Sequence, residues 1–306
     1  MWVTSSVATV KTPTIAALGN FDGVHRGHRQ VIEPIVSAAN GELISTVVTF
    51  RPHPQEFFSG QSRPLLTPLP EKEKCLRAVG VEQLVLLPFD RPLASLTPWQ
   101  FVESILVNQL QVRQIRIGQD FCFGYKRSGS SQDLQAIAAQ FGVSVEIVPL
   151  YLENNHRISS SAIRHALEVG EVSEAARLLG RPYTLVGEVV SGQQLGRTID
   201  FPTANLAVPA EKFLPRHGVY CVWVEGAEAT TLPAVMNLGM RPTVSGLAQT
   251  IEVHLLDWSG DLYGKTLTVS LEKFLRPEQK FDSLDALKQQ IQRDADQARS
   301  ILSTRT

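Results

Sequence analysis

The 306 residues are 43% hydrophobic, 19% charged and 7% aromatic. That is about twice the usual domain length of roughly 100–150 residues, which excludes a largely disordered or fibrous chain and leads us to expect two domains. Lys and Arg total 29 against 30 Asp and Glu, a formal net charge of -1, so no global field draws in nucleic acid or an anionic membrane, and any anionic ligand must be held by local groups.

The three cysteines, Cys75, Cys122 and Cys221, show no CxxC spacing, which argues against a disulfide framework or a structural zinc site and for a reducing compartment. The N-terminal MWVTSSVATVK lacks the basic and apolar regions of a secretory signal, and no run approaches the ~18 apolar residues of a membrane helix. A cytoplasmic protein is expected.

From Thr14 to about Leu150, TIAALGN, LISTVVTF, QLVLLPF, VRQIRIG and VSVEIVPL read as strands separated by helical patterns. Strands apolar on both faces imply a parallel sheet covered on both sides, hence a doubly wound α/β domain whose ligands sit beyond the carboxyl ends of the strands. The segment SSSAIRHALEVGEVSEAARLLG then reads as two short helices, the first starting near Ala162, and the texture changes at Gly180-Arg181-Pro182-Tyr183. LVGEVVSG, TANLAV, GVYCVWVEG, PAVMNLG, TIEVHLLD and KTLTVSLEKFL are short strands punctuated by Gly, Pro and Asp, as in an antiparallel barrel or sandwich. Within TIEVHLLD, Ile251, Val253 and Leu255 alternate with Glu252 and His254, which therefore share a strand face. A terminal helix is expected with Asp282 and Asp285 at its cap and first turn and an apolar stripe of Leu284, Leu287, Ile291, Ala295, Ala298 and Leu302. These patterns place domains at 1–182 and 183–306.

Two segments carry chemistry. ALGNFDGVHRGHRQVI passes from a strand through Gly19 and Gly23 into a helix beginning near His25 or Gly27. Small residues admit a phosphate close to the backbone, and a helix N-terminus offers it free N–H groups. His25 and His28 lie three apart, on one helix face; an isolated HxxH is also compatible with surface decoration or half of a metal site. VVSGQQLGRTIDFPTANL is a glycine-bearing loop, with Gly192 and Gly196, leading into a strand on which Thr203 and Asn205 alternate; alone it is equally an ordinary turn.

The first segment resembles the HxGH nucleotidyltransferase superfamily, and specifically the FMN adenylyltransferase module of the bacterial bifunctional riboflavin kinase/FAD synthetase family. TFRPHP, GQDFCFG and RISSSAIR follow in family order, and the second half carries GRTIDFPTAN, GVYCVWV, IEVHLLD and LRPEQKFDSLDAL. The resemblance implies a Rossmann-like domain followed by a six-stranded riboflavin kinase barrel with a terminal helix. It implies Mg²⁺ with ATP, flavins as substrates and products, and phosphorylation of riboflavin to FMN before adenylylation to FAD. In the adenylyltransferase, ATP phosphates would meet Gly19, Phe21, Asp22, Gly23, His25, His28, Arg157, Ser160, Ser161 and Arg164, with Asp120 on the FMN side. In the kinase, Gly192, Gly196, Arg197, Thr203 and Asn205 would bind ATP, Thr203 and Asn205 would hold Mg²⁺, Glu252 would be the base, and Arg276 would lie on the flavin side.

Other readings stand beside these: a serine of RISSSAIR can simply cap a helix, His53 of RPHP can be structural, Glu252 can be an outward strand carboxylate, and Arg276 can bridge to the last helix. Asp200 occupies a position where the family usually has glycine, and Met240 one where it often has threonine. A single retained activity and a non-catalytic flavin-binding protein are the alternatives at this stage.

Overall fold

Strand β2 (Thr14–Leu18) is buried along its whole length, and its side chains divide by parity. Ala16 and Leu18 join an apolar cluster with Val48, Val85, Leu87, Ile115 and Ile117, whereas Ile15 and Ala17 join a second with Val47, Leu84 and Leu86. That is the two-sided burial of a sheet with helices on both faces. The computed structural model describes residues 1–39, 41–153, 156–191, 201–243 and 246–303, without the side chains of 156, 241–243 and 246–248.

The chain divides into two units, Met1–Ser160 and Ser161–Thr306. In the first, the sheet runs β1 (Trp2–Thr4), β4 (Gln83–Pro88), β3 (Ile44–Arg51), β2, β5 (Val112–Gly118), β6 (Ser144–Val148), every pair parallel. Five of these are the expected strands; β1, only three residues long, gave no periodicity to read. Helices α1 (Arg26–Ala38) and α3 (Leu69–Val79) cover one face through Val31, Ile32, Ile35 and Leu76. The other face is covered by a π-helix at Phe101–Gln109, through Phe101, Val102 and Leu106, and by α6 (Ser131–Ala139), through Leu134 and Ala138. Short helices α2 (Pro54–Ser59), α4 (Arg91–Ser95) and α5 (Pro98–Gln100) and a hairpin of β7 (Leu152–Glu153) with β8 (His156–Arg157) complete the unit. The strand order reverses about β2, so the loop after β2 and the loop after β5 open at the topological switch, where ligands of such sheets bind.

The second unit begins with α7 (Ser160–Val169) and α8 (Val172–Leu179), so α7 starts two residues earlier than the sequence suggests. Both pack with the strands that follow: Arg216 N–H donates to Leu167 O at 2.9 Å, and Gly170 abuts the Phe274 ring. Strands β9 (Thr184–Val190), β10 (Ala204–Ala207), β11 (Gly218–Glu225), β12 (Leu232–Thr243), β13 (Gly246–Leu255) and β14 (Thr266–Arg276) close as an antiparallel barrel in the order β10-β13-β12-β11-β14-β9. Where β9 and β10 seal it, a side chain on Gly187 would overlap the Ala207 carbonyl, so the closure needs glycine there.

Helix α9 (Leu284–Ser303) lies on the barrel through Ala295, Ala298 and Leu302, which cover Cys221 and Leu256. Burial there pushes the Cys221 thiol up to about 12. Two expectations for α9 need correction. The cap is Ser283, whose Oγ accepts the Ala286 N–H at 3.2 Å, rather than Asp282; Leu284 is 67% exposed and outside the stripe, because the helix starts there, before the stripe reaches the barrel.

Candidate functional sites

The first site is built from a loop that local propensity would not choose. Beyond β2, Phe21, Gly23 and Val24 have φ of 47°, 91° and 42°; for the two with side chains the left-handed region costs about 1–3 kcal/mol each. Surrounding contacts hold them there. Phe21 and Val24 are buried, and the Asp22 carboxylate accepts backbone N–H groups of Thr67 at 3.1 Å and Leu66 at 3.2 Å. Gly23 N–H donates to Thr67 Oγ1 at 2.9 Å, and the Asn20 carbonyl accepts Lys72 Nζ at 2.8 Å. The side chain of Asp22 therefore serves the loop's shape, as do the Gly23 N–H and the Asn20 carbonyl.

His25 caps α1: its Nδ1 accepts the His28 N–H at 3.2 Å. A neutral ring accepting at Nδ1 carries its proton on Nε2, so the other nitrogen is a donor. The His28 ring stacks on that of His25 at 3.5 Å between centroids and 16° between planes, and Phe21 meets His28 edge-on at 5.3 Å. The pair thus presents two imidazoles at the helix N-terminus, where the free N–H groups already favour an anion.

The segment after β8 comes to the same place. A Cβ on Gly27 would sit 3.6 Å from the Ile158 carbonyl, and Ser160 Oγ donates to the Asp22 carbonyl at 2.8 Å. Arg157 forms an ion pair with Asp120, on the turn after β5. Arg26 donates to Glu153 at 2.7 Å and to the Tyr151 hydroxyl at 2.9 Å, fixing that hairpin to α1. The structure therefore gathers the β2 loop, the two histidines and Ser160, and pairs Asp120 with Arg157. Ser161 and Arg164 lie on α7, in the second unit, where the Arg164 guanidinium stands 5.6 Å from the Phe213 ring centroid.

His53 is structural. It caps α2 with a reciprocal capping box: its Nδ1 accepts Gln55 N–H at 3.1 Å while Glu56 accepts the His53 N–H at 2.9 Å. Burial, reinforced by Arg63, holds its pKa down at about 4.

The second site is a row across three strands. On β13, Ile251, Val253 and Leu255 are 4%, 0% and 4% exposed, so Glu252 and His254 occupy the opposite face, as the alternation predicts. Register sets Asn205 of β10 opposite Glu252 on one side and Asn237 of β12 opposite it on the other, which brings the three to one face. The sequence shows no sign of Asn237, since register between strands is invisible along the chain. Nor did it reveal that His254 Nδ1 lies 2.8 Å from the Pro202 carbonyl with its ring edge-on to Phe201 at 5.4 Å.

Arg276 binds Asp294 of α9 with Nε at 3.0 Å and Nη2 at 2.8 Å, the pair being 18% and 4% exposed. It anchors the LRPE turn, whose Glu278 carboxylate fills the space a side chain at Gly239 would need. Gly192, Gly196, Arg197 and Asp200 lie outside the described residues. Among the described residues no cluster of three or more His, Cys, Asp or Glu side chains is arranged to hold a metal. Thr203 and Asn205 supply neutral oxygens beside one carboxylate, a set that fits a hard cation whose other ligands are phosphate oxygens and water.

Residues 7–162 match the FAD synthetase family profile and residues 179–302 the riboflavin kinase profile. Relatives named bifunctional riboflavin kinase/FMN adenylyltransferase include one from Escherichia coli K12, 42% identical over 92% of this chain and 90% of its own length. Another, from Haemophilus influenzae, is 40% identical over 94% of each chain. A solved Streptococcus pneumoniae structure named macrolide-efflux protein is 32% identical, with a TM-score of 0.86 over 97% of this chain and 98% of its own. Among the described residues no helix is long and apolar enough to cross a membrane.

Proposed function

The chain belongs to the bifunctional riboflavin kinase/FMN adenylyltransferase family, phosphorylating riboflavin to FMN and adenylylating FMN to FAD with ATP and release of pyrophosphate, and from that premise we propose which residues carry each step. Kinases and adenylyltransferases of these families use ATP, typically with a divalent metal; we take the metal here to be Mg²⁺. We assign adenylyl transfer to 1–182 and phosphoryl transfer to 183–306, in the cytoplasm, with ATP, riboflavin and FMN as the small-molecule partners. This functional division lies beyond the packing division at Ser160, because the RISSSAIR motif straddles the latter.

At the first site the nucleophile is the FMN phosphate, already an anion, so no base is required. Attack on the α-phosphorus of ATP needs donors aimed at the oxygens that gain charge. His25, His28 and the N-terminal N–H groups of α1 serve that end, with Gly19, Phe21, Asp22 and Gly23 lining the approach to the phosphates. Arg157, Ser160, Ser161 and Arg164 gather the remaining phosphate oxygens, and Asp120, through its pairing with Arg157, borders the FMN.

At the second site the nucleophile is a neutral 5'-hydroxyl, and Glu252 takes its proton as the hydroxyl attacks the γ-phosphorus and the bond to the bridging β–γ oxygen breaks, releasing ADP. Thr203 and Asn205 would hold Mg²⁺, which supplies charge neutralisation to the phosphate oxygens when bound. Gly192, Gly196 and Arg197 are assigned to ATP binding, and Arg276 keeps the LRPE turn on the flavin side through Asp294.

The observation that carries the assignment is the register pairing of Asn205 with Glu252, which brings two distant motifs to one strand face. The test supplies riboflavin, ATP and Mg²⁺ and separates the flavins chromatographically. His28→Ala should stop at FMN, Glu252→Ala should leave riboflavin unchanged yet convert added FMN, and the two variants mixed should restore FAD. Loss of both activities in either variant sinks the two-site reading.

A further inference from the structure

The sequence motif FPTAN and the strand bearing Glu252 are separated by about fifty residues, and one side chain joins them. His254 lies on the Glu252 face of β13, two residues along, and its Nδ1 is 2.8 Å from the Pro202 carbonyl. A carbonyl oxygen can only accept, so Nδ1 carries the proton in this contact. The same ring meets Phe201 edge-on at 5.4 Å and 70°, an arrangement that sets both position and tilt. Pro202 and Phe201 directly precede Thr203, and Asn205 follows in register with Glu252. The backbone contacts of β10 with β13 begin only at Ala204, so the approach to Thr203 is located by this side chain rather than by the ladder.

We propose that His254 is a positioning residue of the kinase site, clamping the Phe201-Pro202 segment so that the hydroxyl of Thr203 is held at a fixed distance from Glu252 and from Asn205, which the β10–β13 ladder already places. The inference rests on the assignment of Thr203 and Asn205 to MgATP made above. It is a hydrogen-bond and packing role: the imidazole does not touch the reacting atoms, and no change of its charge is invoked. A loosened clamp weakens nucleotide binding before it weakens the base, since Glu252 stays fixed by the β12 and β10 ladders on either side.

Because the position of the donor is what matters, two amides distinguish the clamp from simple polarity. In His254→Asn the side-chain nitrogen falls where imidazole Nδ1 stands; in His254→Gln it falls nearer Nε2 and misses the carbonyl. The full chain is assayed for FMN formation with MgATP and riboflavin varied separately, and MgADP is titrated calorimetrically into the same protein. His254→Gln should raise the KM for MgATP and the Kd for MgADP about tenfold, the loss of one hydrogen bond, with the KM for riboflavin and the rate of FMN adenylylation unchanged. His254→Asn should recover most of that loss. Equal behaviour of the two amides, or an equal rise in the riboflavin KM, overturns the proposal. Asn205→Ala is the control: if it leaves MgADP binding unchanged, the reading of the site itself fails; if it weakens binding while both His254 variants do not, only the clamp fails.

Discussion

The two units bring phosphate chemistry to opposite kinds of backbone. In the first, residues 19–28 are contiguous, and a strained loop, held in shape by Leu66, Thr67 and Lys72, leads directly into a helix N-terminus. In the second, Asn205 and Glu252 meet only because two strands pair in one register. On the assignment proposed above, the difference follows the nucleophile. A charged phosphate needs N–H groups, which a turn and a helix end supply locally, whereas a neutral hydroxyl needs a carboxylate placed opposite metal ligands, which strands supply at a distance. The strand site is therefore the more fragile in one respect: a one-residue slip of β13 would turn Glu252 into the barrel core.

The largest expected effect tests the base. Glu252→Gln should lower kcat for FMN formation by about 10²–10⁴-fold while leaving FMN adenylylation intact; a full rate in the amide would erase the chemical contrast between the sites. His28→Ala should cost adenylylation about 10²–10³-fold, the loss of one oxyanion donor, without a change in its pH dependence, since no base is removed. Loss of an ionisation from the wild-type pH–rate profile would mean that the histidine exchanges a proton after all.

A smaller effect separates the units by stability. Asp294→Ala strands the Arg276 guanidinium and should cost about 3 kcal/mol, the low end for a broken buried pair because Arg276 keeps some water. In urea, FMN formation should then fail at lower denaturant than FAD formation, reading the two units independently.

The smallest concerns His53, held at about 4 against an ordinary 6.5. The unfolded chain takes up the proton first, so the stability His53 contributes is full above pH 6.5 and is lost as pH falls from 6.5 towards 4. His53→Asn keeps a cap but removes the titration. Urea midpoints of the two proteins should lie closest near neutrality and separate on acidification, as only the wild type loses stability; parallel profiles would contradict it.

Much of this was legible along the chain. Period-two burial on β13 and the unbroken apolar strands of the first unit are local patterns, and they placed Glu252 on its face and the sheet in its class. The start of α1 near His25 was legible from its local pattern, whereas the imidazole's role as its cap was not. What escaped depended on contacts between distant segments. The three residues of β1 reveal themselves only by pairing with β4. Asn237 enters the Glu252 row by register alone, and Asp22 is committed to Leu66 and Thr67 across more than forty residues. Arg276 was foreseen both as a flavin-side residue and as a bridge to the last helix; the bridge to Asp294 is present, and it is how the turn is held. Ser283 displaced Asp282 as a cap because a one-residue choice at a helix start is decided by geometry that composition does not encode.

The sealed pairing of β9 with β10 has a consequence for how each unit meets other chains. A closed ladder offers no row of unpaired N–H and C=O groups, so a foreign strand has nowhere to add. The open sheet of the first unit ends at β1 and β6, and those two margins are where intermolecular strand addition would begin during folding at high concentration. At the β1 margin the exposure is limited to three residues, which leaves the five-residue β6 as the longer of the two open margins.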